Sequence, residues 1–218
     1  MDREIITTKD GSHSLFVKSM GETFHSKHGA VQESVHVYIK NGINLIKKDT
    51  INVLEFGFGT GLNTLLTLQF ATENNKKVYY ETIEAYPLFE KEYSLLNYDD
   101  FINSSVSLKE LHEIPNGTLT KVNANFSILK HHTKIEAFTT ENRFDIIYFD
   151  VFGYDYQSEL WSVEILQKAY DFLNPNGIFV TYACKGIVNR RLKAMGFEVH
   201  KTQGPPGKRE MVVAVKKL

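Results

Sequence analysis

Cysteine is almost absent. A single Cys184 in 218 residues excludes an internal disulfide and fits a reducing, cytoplasmic setting. No CxxC pair and no H-E-x-x-H are present, so the sequence announces no metal site. No apolar run is long enough to span a bilayer, and residues 1–11 are too polar for a signal peptide, so neither a membrane nor secretion is expected. There are no repeats and no low-complexity tracts. Net charge is also missing, at −1 overall, but its distribution is uneven. Residues 184–218 hold nine Lys and Arg against two Glu, on an otherwise acidic chain. A basic end on an acidic body can mark a polyanion site, and a solvated C-terminal face reads the same on charge alone. What is there is 42% hydrophobic residues, enough for a core, and a length suited to one domain with a modest extension.

The richest stretch is Ile51–Leu68, INVLEFGFGTGLNTLLTL. Ile51, Val53, Leu54 and Phe56 suit a buried strand, and Leu62, Leu65, Leu66 and Leu68 then recur at helical spacing. Between them stand Gly57, Gly59 and Gly61. Strand, glycine turn and helix bring backbone N–H groups against a nucleotide-like ligand in an α/β sheet, and also occur as an ordinary tight turn. The spacing is G-x-G-x-G, not the G-x-G-x-x-G of dinucleotide binders, which disfavours a nicotinamide dehydrogenase. With Glu55 two residues ahead, the stretch is similar to the first motif of S-adenosylmethionine-dependent methyltransferases. That resemblance implies S-adenosylmethionine as cofactor, with Glu55 near its methionine end and Gly57, Gly59 and Gly61 leaving it room.

Residues 1–50 read as a β-rich extension, with short strands at Ile6–Thr8, Leu15–Val17 and Val35–Ile39 and an Asp-Gly turn signal within Lys9–Ser12. His25, His28 and His36 are expected to be solvated or hydrogen-bonded rather than metal ligands. Residues 51–218 read as the main domain. The helix after the glycines runs to about Glu73, and Val78–Ile83 is the second strand. Glu84 at its end can accept two hydrogen bonds from a ribose diol. Residues 87–120 read as a helical insertion, with a helix over Leu88–Leu96 opened by Pro87, that could roof the site. Asn125–Leu129 is the next strand. Phe144–Phe149 is a near-continuous apolar run ending at Asp150, as a central parallel strand should be. If the strands are parallel, Glu55, Glu84 and Asp150 converge on one sheet edge. A helix over Glu159–Leu173, a strand over Ile178–Tyr182, a helix over Val188–Met195 and a final antiparallel hairpin, Phe197–Lys201 with Met211–Val215, complete the chain.

EFGFGTGLN (Glu55–Asn63), FDIIYFDVF (Phe144–Phe152), ELWS (Glu159–Ser162), TYACKGIVNRRLKAMGF (Thr181–Phe197) and GPPGKREM (Gly204–Met211) together resemble the tRNA 5-methylaminomethyl-2-thiouridine methyltransferases. GETFHSKHGAVQESVHVYI (Gly21–Ile39) fits the stand-alone members. The resemblance covers most of the chain. It implies a Rossmann-like class I fold, a mostly parallel seven-stranded α/β sheet with an antiparallel final strand. It also implies methyl transfer from S-adenosylmethionine to the exocyclic amine of 5-aminomethyl-2-thiouridine at the tRNA wobble position. In some bacteria the same half is fused to an FAD-dependent oxidase. With this chain ending at Leu218, a separate oxidase is expected to supply the aminomethyl substrate. In such enzymes an acidic residue commonly reads adenine after the third strand. Here His131 and His132 stand there, and His132 is the expected contact. Val151 departs from the smaller residue that many relatives carry.

In-line transfer from a sulfonium needs mainly alignment, which can supply roughly 7–11 kcal/mol. The amine must be neutral to attack, and Asp150 is the candidate to accept its proton or to position it. Phe152 and Tyr154 are candidates to stack on the uracil, with core packing the competing role for Phe152. Lys185, Arg190, Arg191, Lys208 and Arg209 are candidates for tRNA phosphates. Two alternatives stay open on the same fold: a small-molecule amine methyltransferase or aminopropyltransferase, and a non-catalytic RNA-binding module.

Overall fold

The computed structural model describes residues 2–217. The chain opens with a three-stranded antiparallel sheet, β1 (Arg3–Thr7), β2 (His13–Val17) and the two-residue β3 (Glu22–Thr23). Leu15 and Val17 are buried under it. Helix α1 (Ala30–Ser34) then continues into a π-helical turn over Val35–Lys40. The strand expected at Val35–Ile39 is therefore helical. Its β-branched residues suggest a strand, but Ala30, Glu33, Ser34, Val37 and Tyr38 are the buried positions, which is helical spacing.

Strand β4 (Thr50–Phe56) leads through the glycines into α2 (Leu62–Glu73). Nine residues of α2 are buried. A helix this apolar needs cover on every side. The sheet lies on one side of it, and α1 with its π turn on the other. Leu15, Ala30, Val37 and Tyr38 accordingly belong to the same core cluster as Leu62, Leu65 and Leu68.

Strand β5 (Lys77–Glu84) is followed by the insertion, which holds the single-turn α3 (Glu90–Tyr93), a 3-10 turn at Tyr98–Asp100 and α4 (Leu108–Glu113). The helix expected over Leu88–Leu96 shrinks to α3. Beyond it, the Leu95 carbonyl and the Asn97 side chain bind His13 of β2 instead of continuing a helix. Ser107 and Glu110 form a capping box at the start of α4.

The two-residue β6 (Thr120–Lys121), then β7 (Phe126–His132), β8 (Phe144–Phe149), β9 (Leu173–Thr181), β10 (Phe197–Gln203) and β11 (Glu210–Lys216) complete the large sheet, in the order β10-β11-β9-β8-β4-β5-β7-β6. Seven long strands plus the short edge β6 make it. Strands β7, β5, β4, β8 and β9 are parallel, while β11 is antiparallel to both β9 and β10. Chain order runs outward in opposite directions from the β4–β8 boundary, and such a switch opens a crevice at the C-terminal strand ends.

On the far face, α5 (Val163–Phe172) and α6 (Gly186–Ala194) cover the second core cluster. The expected helix Glu159–Leu173 splits at Ser162. A 3-10 turn, Ser158–Trp161, precedes it, and the Ser162 hydroxyl accepts the Ile165 N–H to start α5. Pro175-Asn176-Gly177 lies within β9 as an irregularity, the pairing stepping from Phe144–Leu173 to Ile146–Ile178. Among the described residues, no helix is long and apolar enough to cross a membrane.

Candidate active site

A cleft of about 350 Å³ opens at the C-terminal ends of β4, β5 and β8. Its floor is the glycine turn. Gly57 has φ 93°, and a Cβ there would fall 2.6 Å from the Asp150 carbonyl oxygen. Only glycine lets the two strand ends lie this close, with the Asp150 N–H donating to the Phe56 carbonyl at 3.0 Å. Gly59 donates its N–H to Glu84 Oε2 at 2.9 Å, while Glu84 Oε1 accepts the Tyr86 N–H at 2.7 Å. Gly61, at φ 77°, is the N-cap of α2. The first-turn N–H groups of that twelve-residue helix lack intrahelical partners, which makes its start a site for negative charge.

Thr60, at the crown of the turn, is held from two directions. His25 Nε2 and Thr60 Oγ1 share a hydrogen bond of 2.7 Å, and His112 Nε2 donates to the Thr60 carbonyl at 3.0 Å. A carbonyl only accepts, so His112 carries its hydrogen on Nε2. Burial pushes both imidazoles down to about 4, so both are neutral near pH 7. His112 also stacks on Tyr93, with ring centroids 4.4 Å apart.

The reactive wall is Asp150. Its Oδ2 accepts a 2.7 Å hydrogen bond from Asn63 Nδ2, and the buried Tyr38 phenol lies beside it. Burial is the largest influence on this carboxyl. It outweighs Tyr38 and Asn63, which favour the charged form, and the group is pushed up to about 6. Phe24 and Phe152 meet edge to face at 5.2 Å on the cleft wall, and the Tyr182 hydroxyl donates to the Val151 carbonyl at 2.9 Å.

Gly57, Gly59, Glu84, Asp150 and Phe152 thus line one cleft. Glu55 does not; it lies one layer below with no exposed surface, its Oε2 accepting from Thr82 at 2.8 Å. His132, the expected adenine contact, is exposed and does not line the cleft. The chain turns after β7, so Lys134, Ile135 and Glu136 form that part of the wall. Tyr154 is also off the cleft, placed under the Lys185 and Arg191 cations at 5.2 and 5.8 Å.

The basic residues divide. Lys208 forms a 2.6 Å ion pair with the buried Glu33 and lies 3.8 Å from the centre of the Tyr182 ring. Lys185 pairs with Asp155. Arg191 donates to the Trp161 carbonyl at 2.5 Å. Arg190 and Arg209 are both exposed, and Arg209 forms no ion pair among the described residues.

The insertion does not roof the cleft. It packs behind the glycine turn through His112, and the cover comes from Arg3, Phe24 and His25 of the N-terminal segment. Sequence reasoning missed Asn63, Phe24, His25 and Tyr182 as site residues. Asn63, two positions after the last glycine, was the one with a local signal. Among the described residues, no three His, Cys, Asp or Glu side chains gather as a metal would need.

A doubly wound sheet with a glycine turn, a carboxylate at the second strand end and another beside the helix start is the framework of a nucleotide-cofactor-binding α/β protein. The comparisons make the class specific. Residues 99–217 match the family described as S-adenosyl-L-methionine-dependent methyltransferase, and the chain belongs to that family. The chain is 25% identical over 207 residues to the tRNA 5-methylaminomethyl-2-thiouridine biosynthesis bifunctional protein MnmC of Methylobacillus flagellatus, covering 88% of this chain and 32% of that protein. To MnmC of Acinetobacter baylyi it is 26% identical, over 94% of this chain and 36% of the relative. The chain therefore spans about a third of these curated relatives. The crystal structure of MnmC2 from Aquifex aeolicus superposes with a TM-score of 0.80 at 24% identity, covering 98% of this chain and 69% of that one, and so shares its fold.

The residues fit S-adenosylmethionine. Gly57 and Gly59 keep side chains off the floor, and Glu84 still has acceptor capacity beyond its two backbone bonds. The start of α2 suits a carboxylate, and the cleft volume falls in the range of cofactor pockets.

Proposed function

We propose that this methyltransferase methylates the exocyclic amine of 5-aminomethyl-2-thiouridine at the wobble position of tRNA. The observation that carries the reading is Asp150, a carboxylate on the cleft wall held by Asn63 and flanked by Phe24 and Phe152. The names of the MnmC relatives support the same substrate.

When bound, the cofactor supplies an electrophilic methyl group. Gly57, Gly59 and Glu84 are proposed to hold it, with Ile135 and Glu136 on the adenine side in place of His132. Glu55 acts from behind the site. The aminomethyl group arrives mostly as an ammonium, which Asp150 attracts and aligns. The same carboxylate takes the ammonium proton, directly or through water, freeing the nitrogen lone pair. With its proton affinity near neutrality, Asp150 can both accept that proton and release it to solvent. Phe24 and Phe152 exclude water, and their faces suit an extruded uracil.

Arg190 and Arg209 are the proposed phosphate contacts. Lys185, Arg191 and Lys208 are engaged within the protein and act mainly by shaping the rim. The reading extends to a cytoplasmic enzyme whose aminomethyl substrate is supplied by an FAD-dependent oxidase activity. Incubation with S-adenosylmethionine and tRNA carrying the unmethylated nucleoside, followed by digestion and mass analysis, tests the proposal. Gain of one CH2 on that nucleoside is expected. Tight cofactor binding without conversion would overturn the substrate assignment and point to small-molecule amines.

A further inference from the structure

Glu55 is the acid of the glycine motif that the cleft does not reach. It is wholly buried. Its Oε2 accepts from Thr82 Oγ1 at 2.8 Å and from Thr64 Oγ1 at 3.3 Å. Its Oε1 is buried with no partner in hydrogen-bond geometry, and the neighbouring Tyr80 hydroxyl is in the same condition. The groups turned towards Glu55 are Thr82 and Tyr80 of β5, Tyr148 of β8, Asn63 and Thr64 of α2, and Asp150 beyond them. None of these is a cation.

A buried carboxylate with an orphan oxygen and no cation is costly; a carboxylic acid in the same place is not. A proton on Oε1 gives that oxygen a hydrogen to donate towards Asn63 Oδ1, a buried acceptor that itself has no partner. Asn63 stands between the two acids. Its Nδ2 donates to Asp150 Oδ2 at 2.7 Å, and the same amide faces Glu55.

We propose that Glu55 is a positioning residue for the methyl transfer: as a neutral acid it holds the Asn63 amide that aims Asp150, and it does not touch the cofactor. The inference rests on the reading that Asp150 receives the substrate amine. Neutral Glu55 leaves one negative charge in the Glu55–Asn63–Asp150 row, and that charge sits at the cleft. An ionised Glu55 would compete for the Asn63 N–H groups and repel Asp150. The order of titration agrees. Burial raises Glu55 to about 8, against the Thr82 hydrogen bond and the nearby Asn63 and Tyr80 dipoles, whereas Asp150 lies at about 6. Asp150 itself faces Tyr38, Asn63, Glu33 and Lys208, with Tyr98 and Tyr182 sensing its charge.

The test compares Glu55→Gln, Glu55→Ala, Asn63→Ala and the double variant Glu55→Ala/Asn63→Ala in the full chain. Circular dichroism and melting serve as folding checks. Glu55→Ala should lower kcat at least tenfold while KM for S-adenosylmethionine stays within threefold, and Glu55→Gln, which mimics the neutral acid, should recover most of that kcat. The double variant should be no slower than Asn63→Ala alone. A tenfold rise in KM for the cofactor in Glu55→Gln, or additive losses in the double variant, would overturn the proposal. Infrared titration gives a readout independent of turnover. The wild-type protein should keep a protonated carboxyl band at pH 7 that Glu55→Gln lacks, and absence of that band also overturns it. An inactive wild type with the band present would instead count against the tRNA reading and leave the neutral Glu55 supported.

Discussion

The Cβ that Gly57 lacks would sit 2.6 Å from the carbonyl oxygen of Asp150. One backbone position therefore sets both the floor of the cofactor site and the placement of the acid on its wall. Gly57→Ala should cost about 2 kcal/mol from the positive φ alone, with the clash added. If the strand ends part by about 1 Å instead, turnover should fall on the order of 100-fold. Urea unfolding and single-turnover methylation measure the two losses separately.

As the proposed acceptor of the amine proton, Asp150 should give the reaction an acid limb. Its carboxyl is raised to about 6, so it is protonated below that pH and can neither attract an ammonium nor accept its proton. The rate should rise with pH through about 6, distinct from the amine's own deprotonation at higher pH. Asp150→Asn should remove this limb, and Asp150→Ala should abolish turnover while cofactor affinity stays within severalfold. A pH profile of kcat with calorimetric cofactor titration decides it. Joint collapse of binding and turnover would make Asp150 a cofactor ligand or a structural residue.

Glu55 links stability to pH. An unfolded glutamate loses its proton near 4.5, whereas the folded one keeps it up to about 8. Between those values the native state binds more protons, so stability falls as pH rises from 4.5 to 8. The loss is a few kcal/mol at most, about 1.4 kcal/mol for each pH unit separating the two values. Glu55→Gln should melt higher than wild type at pH 9, and the gap should close towards pH 4.5. Melting curves across that range check it; a constant gap would mean Glu55 is not neutral in the native state.

Lys208 and Arg209 are adjacent and should behave differently. Lys208→Ala strands the buried Glu33 carboxylate and should destabilise by about 1–3 kcal/mol, the partial exposure of Lys208 holding the cost below that of a fully buried pair. Arg190→Ala and Arg209→Ala should leave stability within about 0.5 kcal/mol, and each should lower the slope of log K against log salt for tRNA by about 0.9. Filter binding across a salt series measures this, and an unchanged slope in both variants would remove them from the docking surface.

What was legible in the sequence was local. Gly57, Gly59 and Gly61 sit between an apolar strand and an apolar helix, and Glu84 ends one strand and Asp150 follows another, so parallel pairing alone carries them to one edge. What was hidden depends on distance in sequence. Phe24 and His25 reach the cleft because α1 and its π turn cover α2, and no local pattern announces that a segment some 30 residues upstream will close the site. His132 ends β7 outside the cleft, and the chain bends at Thr133 before Lys134 meets it. At Val35–Ile39, burial overrode the propensity of β-branched residues.

Strand β11 also fixes an order of events during synthesis. It inserts between β9 and β10, both of which leave the ribosome before it. Until residues 210–216 arrive, β9 presents an open backbone edge next to the apolar β8, and β10 has no neighbour to pair with. Domains commonly fold as units, and unpaired edges invite association with other chains. The nascent protein therefore remains exposed to self-association until β11 closes the sheet.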